Sequence, residues 1–249
     1  MSGHSKWATI KHQKGAKDKA RGKLFAKILR QVEVAAREGG GDPESNATLR
    51  TMFQKARDAS VPMDTIQKAI KRGTGELEGV TYESITYEGY APGGIAVMVE
   101  VLTDNRNRTG AEVRSLITKL GGSMAEPGAV AWQFERKGSM VVDRAADEEA
   151  LMLTALDAGA EDLADEGEAW RVTTPPTELH KVRTAIEAAG MAVLEADLTM
   201  QPTSTVALDT VEAAKKVLRL VDALDEHDDV QNVFANFDVA DELMESLEA

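Results

Sequence analysis

No cysteine occurs among the 249 residues. That excludes a disulfide framework, a thiol nucleophile and any zinc site built on thiolates. Aromatic residues make up only 4% of the chain, so its cores must rest on Leu, Val, Ile, Met and Ala. Long apolar runs are missing as well: the longest, from Ile95 to Leu102, is short and carries Glu100, so nothing in it spans a bilayer. The opening Met1-Ser2-Gly3-His4-Ser5-Lys6-Trp7 holds no apolar stretch of the kind a signal peptide needs. By elimination the chain is expected in the cytoplasm, away from membranes. Catalytic signatures are absent too. There is no glycine-rich phosphate loop ending in Gly-Lys-Ser/Thr, no GxGxxG opening a helix after a strand, and no HExxH. His4 and His12 have no carboxylate or third His at ligand spacing, so no metal, no cofactor and no enzymatic activity are expected.

What is present is an uneven charge. The net charge is −13, yet residues 1–75 contain 16 Lys+Arg against 7 Asp+Glu, and residues 76–249 contain 13 against 35. A polyanion meets the local field before the overall one, so the division points to nucleic acid as the partner of the N-terminal segment. Hydrophobic content of 43% is ordinary for a folded chain, and the length suits two or three domains.

The first 75 residues read as helices. Apolar Leu24, Phe25, Ile28, Leu29 and Val32 recur at helical spacing over 16–38, with Lys19, Lys23, Lys27, Arg30 and Arg37 on the other face. Gly39-Gly40-Gly41 ends this helix, and Asp42-Pro43 is read as the cap and first turn of a second. A third starts near Pro62 and stops at Gly73. No recognition helix of the helix-turn-helix kind stands out.

Beyond the linker at 73–79 the pattern alternates. Strands are expected at 82–90 and 95–103. A helix follows to Leu120, with Thr109 and Glu112 at capping-box spacing, and then a strand at 130–135. Residues 138–202 read βαββαβ, the ferredoxin-like order. The tail reads as a strand at 204–208, a helix capped by Asp209, a strand at 230–238 and a short helix to Glu248. The expected fold is therefore α+β and multidomain. A basic helical domain occupies 1–79, and a discontinuous α+β domain joins 80–137 to 203–249. A ferredoxin-like domain, 138–202, is inserted in it, and both sheets are antiparallel.

Three constellations could bear on function. In the first, Lys6, Lys11, Lys14, Lys17, Lys19, Arg21 and Lys23 neutralise phosphates, and Trp7 and His12 stack on a base or sugar. Lys27 and Arg30 continue the charge along a helix; the alternative is a solvated terminus. In the second, Arg106 and Arg108 lie between a strand and a helix, where they meet either phosphates or neighbouring acids. The third is the run from Asp222 to Asp229, read as a solvated helix-to-strand connection that keeps acidic domains off a polyanion. It lacks the spacing of a calcium loop.

Several of these stretches resemble the YebC/PmpR family: Gly3-His4-Ser5-Lys6-Trp7, Ile10-Lys11-His12, Arg21-Gly22-Lys23 and Gly39-Gly40-Gly41-Asp42-Pro43. So do Tyr87-Glu88-Gly89-Tyr90-Ala91-Pro92-Gly93-Gly94, Asp104-Asn105-Arg106-Asn107-Arg108-Thr109 and Asp228-Asp229-Val230-Gln231-Asn232-Val233. The resemblance implies three domains and a DNA-binding transcriptional regulator. Other members resemble translation factors that act on ribosomal RNA at the ribosome, including at proline-rich stalls. Gln13 departs from the family's usual basic residue. No catalytic residue carries over.

Overall fold

The computed structural model describes residues 19–240 and residue 243, and the helix expected up to Glu248 lies otherwise outside the described residues. The fold is α+β, and it forms two compact units. One combines the chain up to Gln31 with Glu78–Glu135 and the chain from Pro202; the other combines Val32–Leu77 with Arg136–Gln201. Helix α1 (Lys19–Gly39) contributes residues to both.

In the first unit, β1 (Glu83–Ala91) and β2 (Ile95–Thr103) pair antiparallel without a break, from Glu83↔Thr103 to Ala91↔Ile95. The connecting Gly93 and Gly94 both hold positive φ, which explains two glycines in succession. Strand β9 (Val230–Ala235) pairs antiparallel with the far side of β2, and β3 (Ser123–Met124) with β1, giving the order β3-β1-β2-β9. Being central, β2 is buried on both faces, and this accounts for its continuous run of apolar residues. Helices α4 (Arg106–Lys119) and α7 (Val211–Asp225) close the core, where Val97, Val99 and Val101 meet Val113, Ile117, Val217, Leu220 and Leu224.

The structure departs locally from the expected elements. The strand expected over 230–238 is broken at Asn236, whose side chain accepts from the Ala96 N–H at 2.7 Å and donates to Gln133. Past that break, β10 (Phe237–Val239) pairs parallel with β8 (Val206–Leu208), a small exception to the antiparallel pattern. The strand expected at 130–135 is a 3-10 turn, Ala131–Gln133. Here the buried Glu88 carboxylate takes the N–H groups of Gly128, Val130 and Ala131 at 2.6, 2.7 and 2.9 Å, drawing the segment away from a ladder. Burial would raise the Glu88 carboxyl, but these three bonds outweigh it and hold it below the usual range. Helix caps also move. Asn105 caps α4 instead of Thr109, and Thr210 caps α7 instead of Asp209, each accepting an N–H three residues on.

In the second unit, β4 (Phe134–Asp143), α5 (Glu148–Ala158), β5 (Asp162–Asp165), β6 (Ala169–Thr174), α6 (Leu179–Ala188) and β7 (Val193–Pro202) follow the expected βαββαβ order. The strand order β5-β6-β4-β7 is ferredoxin-like. Met140, Val142, Trp170 and Val172 face Leu151, Val182 and Ile186 in its core. The same unit holds α2 (Ala47–Asp58) and α3 (Met63–Gly73). Asn46, not Asp42, caps α2: its side chain accepts from Leu49 N–H and donates to the Ala35 and Gly40 carbonyls. Along α1, burial begins at Ile28 and continues through Val32, Ala35 and Ala36, while Leu24, expected in this stripe, is exposed.

Candidate nucleic-acid interface

Lys23, Lys27 and Arg30 stand on one face of α1, as their spacing of four and three requires. That face is occupied. Lys23 donates to the Glu226 carbonyl and pairs with Asp228 at 3.1 Å. Lys27 donates to the Asp225 carbonyl at 2.6 Å and to its carboxylate at 3.3 Å. Arg30 donates to the Asp228 carbonyl at 2.7 Å and to Asp229 Oδ1 at 3.1 Å, with its guanidinium over the Tyr82 ring. The acidic run after α7 does connect a helix to a strand, but it is not simply solvated. It is the counterpart of the basic face of α1.

Asp229 is the centre of this contact, and it is buried. Its Oδ2 accepts from Arg108 Nη2 at 2.8 Å and from the Thr109 hydroxyl at 2.7 Å, while Oδ1 receives Arg30. Burial would push its carboxyl up, but the Thr109 and Arg108 hydrogen bonds and the charges of Arg108 and Arg30 hold it below the ordinary value. Arg108 is correspondingly raised, chiefly by its bonds to Asp229 and to Asp104, the latter at 2.9 Å. Thr109 therefore serves Asp229, which is why it is not the helix cap. Of the two arginines read together at this junction, Arg108 is paired with acids and Arg106 is exposed.

Glu112, His227 and Asp229 come close enough to suggest a metal cradle. Their bonds argue otherwise. The Asp229 N–H donates to His227 Nδ1 at 3.1 Å, which leaves Nε2 to carry the proton of the neutral ring toward Glu112 at 2.9 Å. Both Asp229 oxygens are held by guanidiniums as well, so this carboxylate already has its counter-charges. An open cleft of about 900 Å³ beside it is lined by both signs of charge, Lys23, Arg30, Arg108 and Lys119 against Glu112 and Asp228. It is not a simple phosphate cradle.

Among the remaining cations read from the sequence, Arg21 is exposed, 5.3 Å from the centre of the Phe25 ring. Lys6, Trp7, Lys11, His12, Lys14 and Lys17 lie outside the described residues, as does the side chain of Lys19.

Comparison with known proteins bears on the whole chain. The TACO1/YebC second and third domain matches residues 82–237, and the TACO1/YebC protein N-terminal domain matches residues 5–76. The chain belongs to the TACO1/YebC family. Relatives span its full length: a protein of Rubrobacter xylanophilus is 57% identical over 246 residues, covering 98% of both chains. Another, from Halothermothrix orenii, is 52% identical over 250 residues, covering 99% of both. Each is named a probable transcriptional regulatory protein. The crystal structure of a conserved hypothetical protein from Aquifex aeolicus is 47% identical and superposes with a TM-score of 0.83, over 90% of this chain and 93% of that one. The family's two matched stretches meet across residues 76–82, next to the glycine-rich segment that the sequence marks as a linker.

Proposed function

We propose that this chain is a non-catalytic regulator of gene expression that binds nucleic acid, with DNA as its target and its N-terminal segment as the contact. The observation that carries the reading is the charge division: 16 Lys+Arg against 7 Asp+Glu before residue 76, and 13 against 35 after it. The names of its relatives point the same way. In this reading Lys6, Lys11, Lys14, Lys17, Lys19, Arg21 and Arg106 meet phosphates, and Trp7 and His12 stack. Lys23, Lys27, Arg30 and Arg108 have another duty, since their charges are already met by Asp225, Asp228, Asp229 and Asp104.

The test is a titration of the full chain with duplex DNA over a range of salt. If about five phosphates are covered, log K falls with log[salt] at a slope near −4 to −5, and replacing Lys6, Lys11, Lys14 and Lys17 with Ala flattens it. A salt-independent affinity, or one untouched by those substitutions, contradicts the reading. Ribosomes measured in parallel with promoter and scrambled DNA separate the second reading, a translation factor on structured RNA. That reading is favoured by the occupied face of α1, because a set of backbone-reading lysines carries no base specificity and a structured RNA is selected by shape. Saturable ribosome binding beside weak, sequence-blind DNA binding would put translation first.

A further inference from the structure

Helices α2 and α3 are joined by only four residues, Ala59, Ser60, Val61 and Pro62. Ser60 has φ of 62°, the one positive value at a non-glycine among the described residues. It closes α2 in a Schellman turn, with Ser60 N–H on the Arg57 carbonyl at 2.8 Å and Val61 N–H on the Ala56 carbonyl at 2.9 Å. The left-handed residue reverses the chain sharply. Pro62 then starts α3, its carbonyl accepting from Thr65 and Ile66. Four side chains around this turn, Ala56, Val61, Ile66 and Ala69, are buried, two of them alanines where a small residue lets helices approach. At the other end of α3, Gly73 abuts α1: a Cβ there would fall on the Glu33 carbonyl oxygen. The end of α1, with α2 and α3, thus forms a three-helix unit with a tight, rigid turn between its last two helices.

The outer face of α3 is unlike the basic face of α1. Met63, Asp64, Gln67, Lys68 and Lys71 follow at helical spacing, and all five are exposed. Among the described residues, no hydrogen bond or ion pair engages the side chains of Gln67, Lys68 or Lys71, whereas Lys23, Lys27 and Arg30 on α1 are all engaged. On the same helix, Arg72 turns inward to the buried Glu33 at 2.9 Å, so the free lysines are confined to one side.

We propose that α2, its turn and α3 form a helix-turn-helix, with α3 entering the major groove of duplex DNA and Gln67, Lys68 and Lys71 reading or holding it there. A two-helix unit with a three- to four-residue turn presents its second helix to the groove. Gln pairs bidentately with adenine and Lys with guanine, Asp64 can accept from cytosine, and Met63 supplies an apolar contact for a thymine methyl. The inference rests on the nucleic-acid reading above and adds what that reading lacks, a surface able to discriminate bases.

The experiment is a selection of binding sites from a random duplex library by the full chain, beside the triple variant Q67A/K68A/K71A and the tail variant K6A/K11A/K14A/K17A. The three α3 side chains are exposed, so the triple variant keeps the wild-type melting temperature. The wild type is expected to enrich a motif. The triple variant is expected to lose it, binding the selected site about fivefold to a hundredfold more weakly while retaining salt-dependent, sequence-blind binding. The tail variant is expected to weaken all sequences alike and keep the motif. No enriched motif with the wild type, or an unchanged motif with the triple variant, overturns the helix-turn-helix and leaves backbone binding standing. A wild type that binds no nucleic acid overturns both.

Discussion

Two helix faces in this molecule carry the same kind of side chain and stand in opposite states. On α1, Lys23, Lys27 and Arg30 are each held by carbonyls or carboxylates of residues 225–229. On α3, Lys68 and Lys71 project into solvent. Counting charges measures the field of a segment but not which charges remain available. A cation already paired with a carboxylate is costly to strip of its partner and is not available to a polyanion; only free ones release counterions from it.

The largest expected effect lies at the occupied face. Asp229→Ala removes the acceptor of two guanidiniums and the Thr109 hydroxyl, and should destabilise the protein by about 2–3 kcal/mol, read as a lowered urea midpoint. The α3 substitutions should leave that midpoint within about 0.5 kcal/mol each. An unchanged midpoint for Asp229→Ala would mean that the contact is incidental, and the comparison of faces would fail.

Acid should reach the same contact. The carboxyls of Asp229 and Glu88 are both depressed in the folded protein. Their contribution is therefore complete above the unfolded values, about 3.9 and 4.3, and disappears as pH falls through the lower folded ones. The unfolded chain binds more protons in that window, so stability rises with pH there. Thermal melts between pH 3 and pH 7 should show a steep acid limb, flattened in Asp229→Asn and in Glu88→Gln. Equal limbs in all three proteins would contradict the assignment.

How much of this the sequence discloses follows from where each feature gets its energy. The apolar periodicity of α3, α5 and α6, the β1–β2 hairpin and the βαββαβ order are local or near-local patterns, and these three helices stand within a residue or two of where the sequence puts them. Helix α2 begins later than Asp42-Pro43 announces, at Ala47, because Asn46 caps it, and β4 begins earlier, at Phe134. Thr109 misleads as a cap because its hydroxyl is claimed by Asp229, 120 residues away. Asp229 itself reads as one more acid in an acidic run, since burial is a tertiary property. The turn at Ser60 is hidden for a different reason. A left-handed helix end is announced by glycine, and here serine holds the position. Replacing Ser60 with Gly should accordingly raise stability by about 0.5–1 kcal/mol, a small effect visible in a denaturant midpoint. A loss would show that the Ser60 side chain has a structural role of its own.

The most direct test of the contrast between the faces is the salt dependence of duplex DNA binding for two triple variants of the full chain, K23A/K27A/R30A on α1 and Q67A/K68A/K71A on α3. The α3 variant is expected to reduce the slope of log K against log[salt] by about two, one per lysine lost. The α1 variant should keep the wild-type slope and lose stability instead. A reduced slope for the α1 variant with an unchanged slope for the α3 variant would reverse the roles assigned to the two helices.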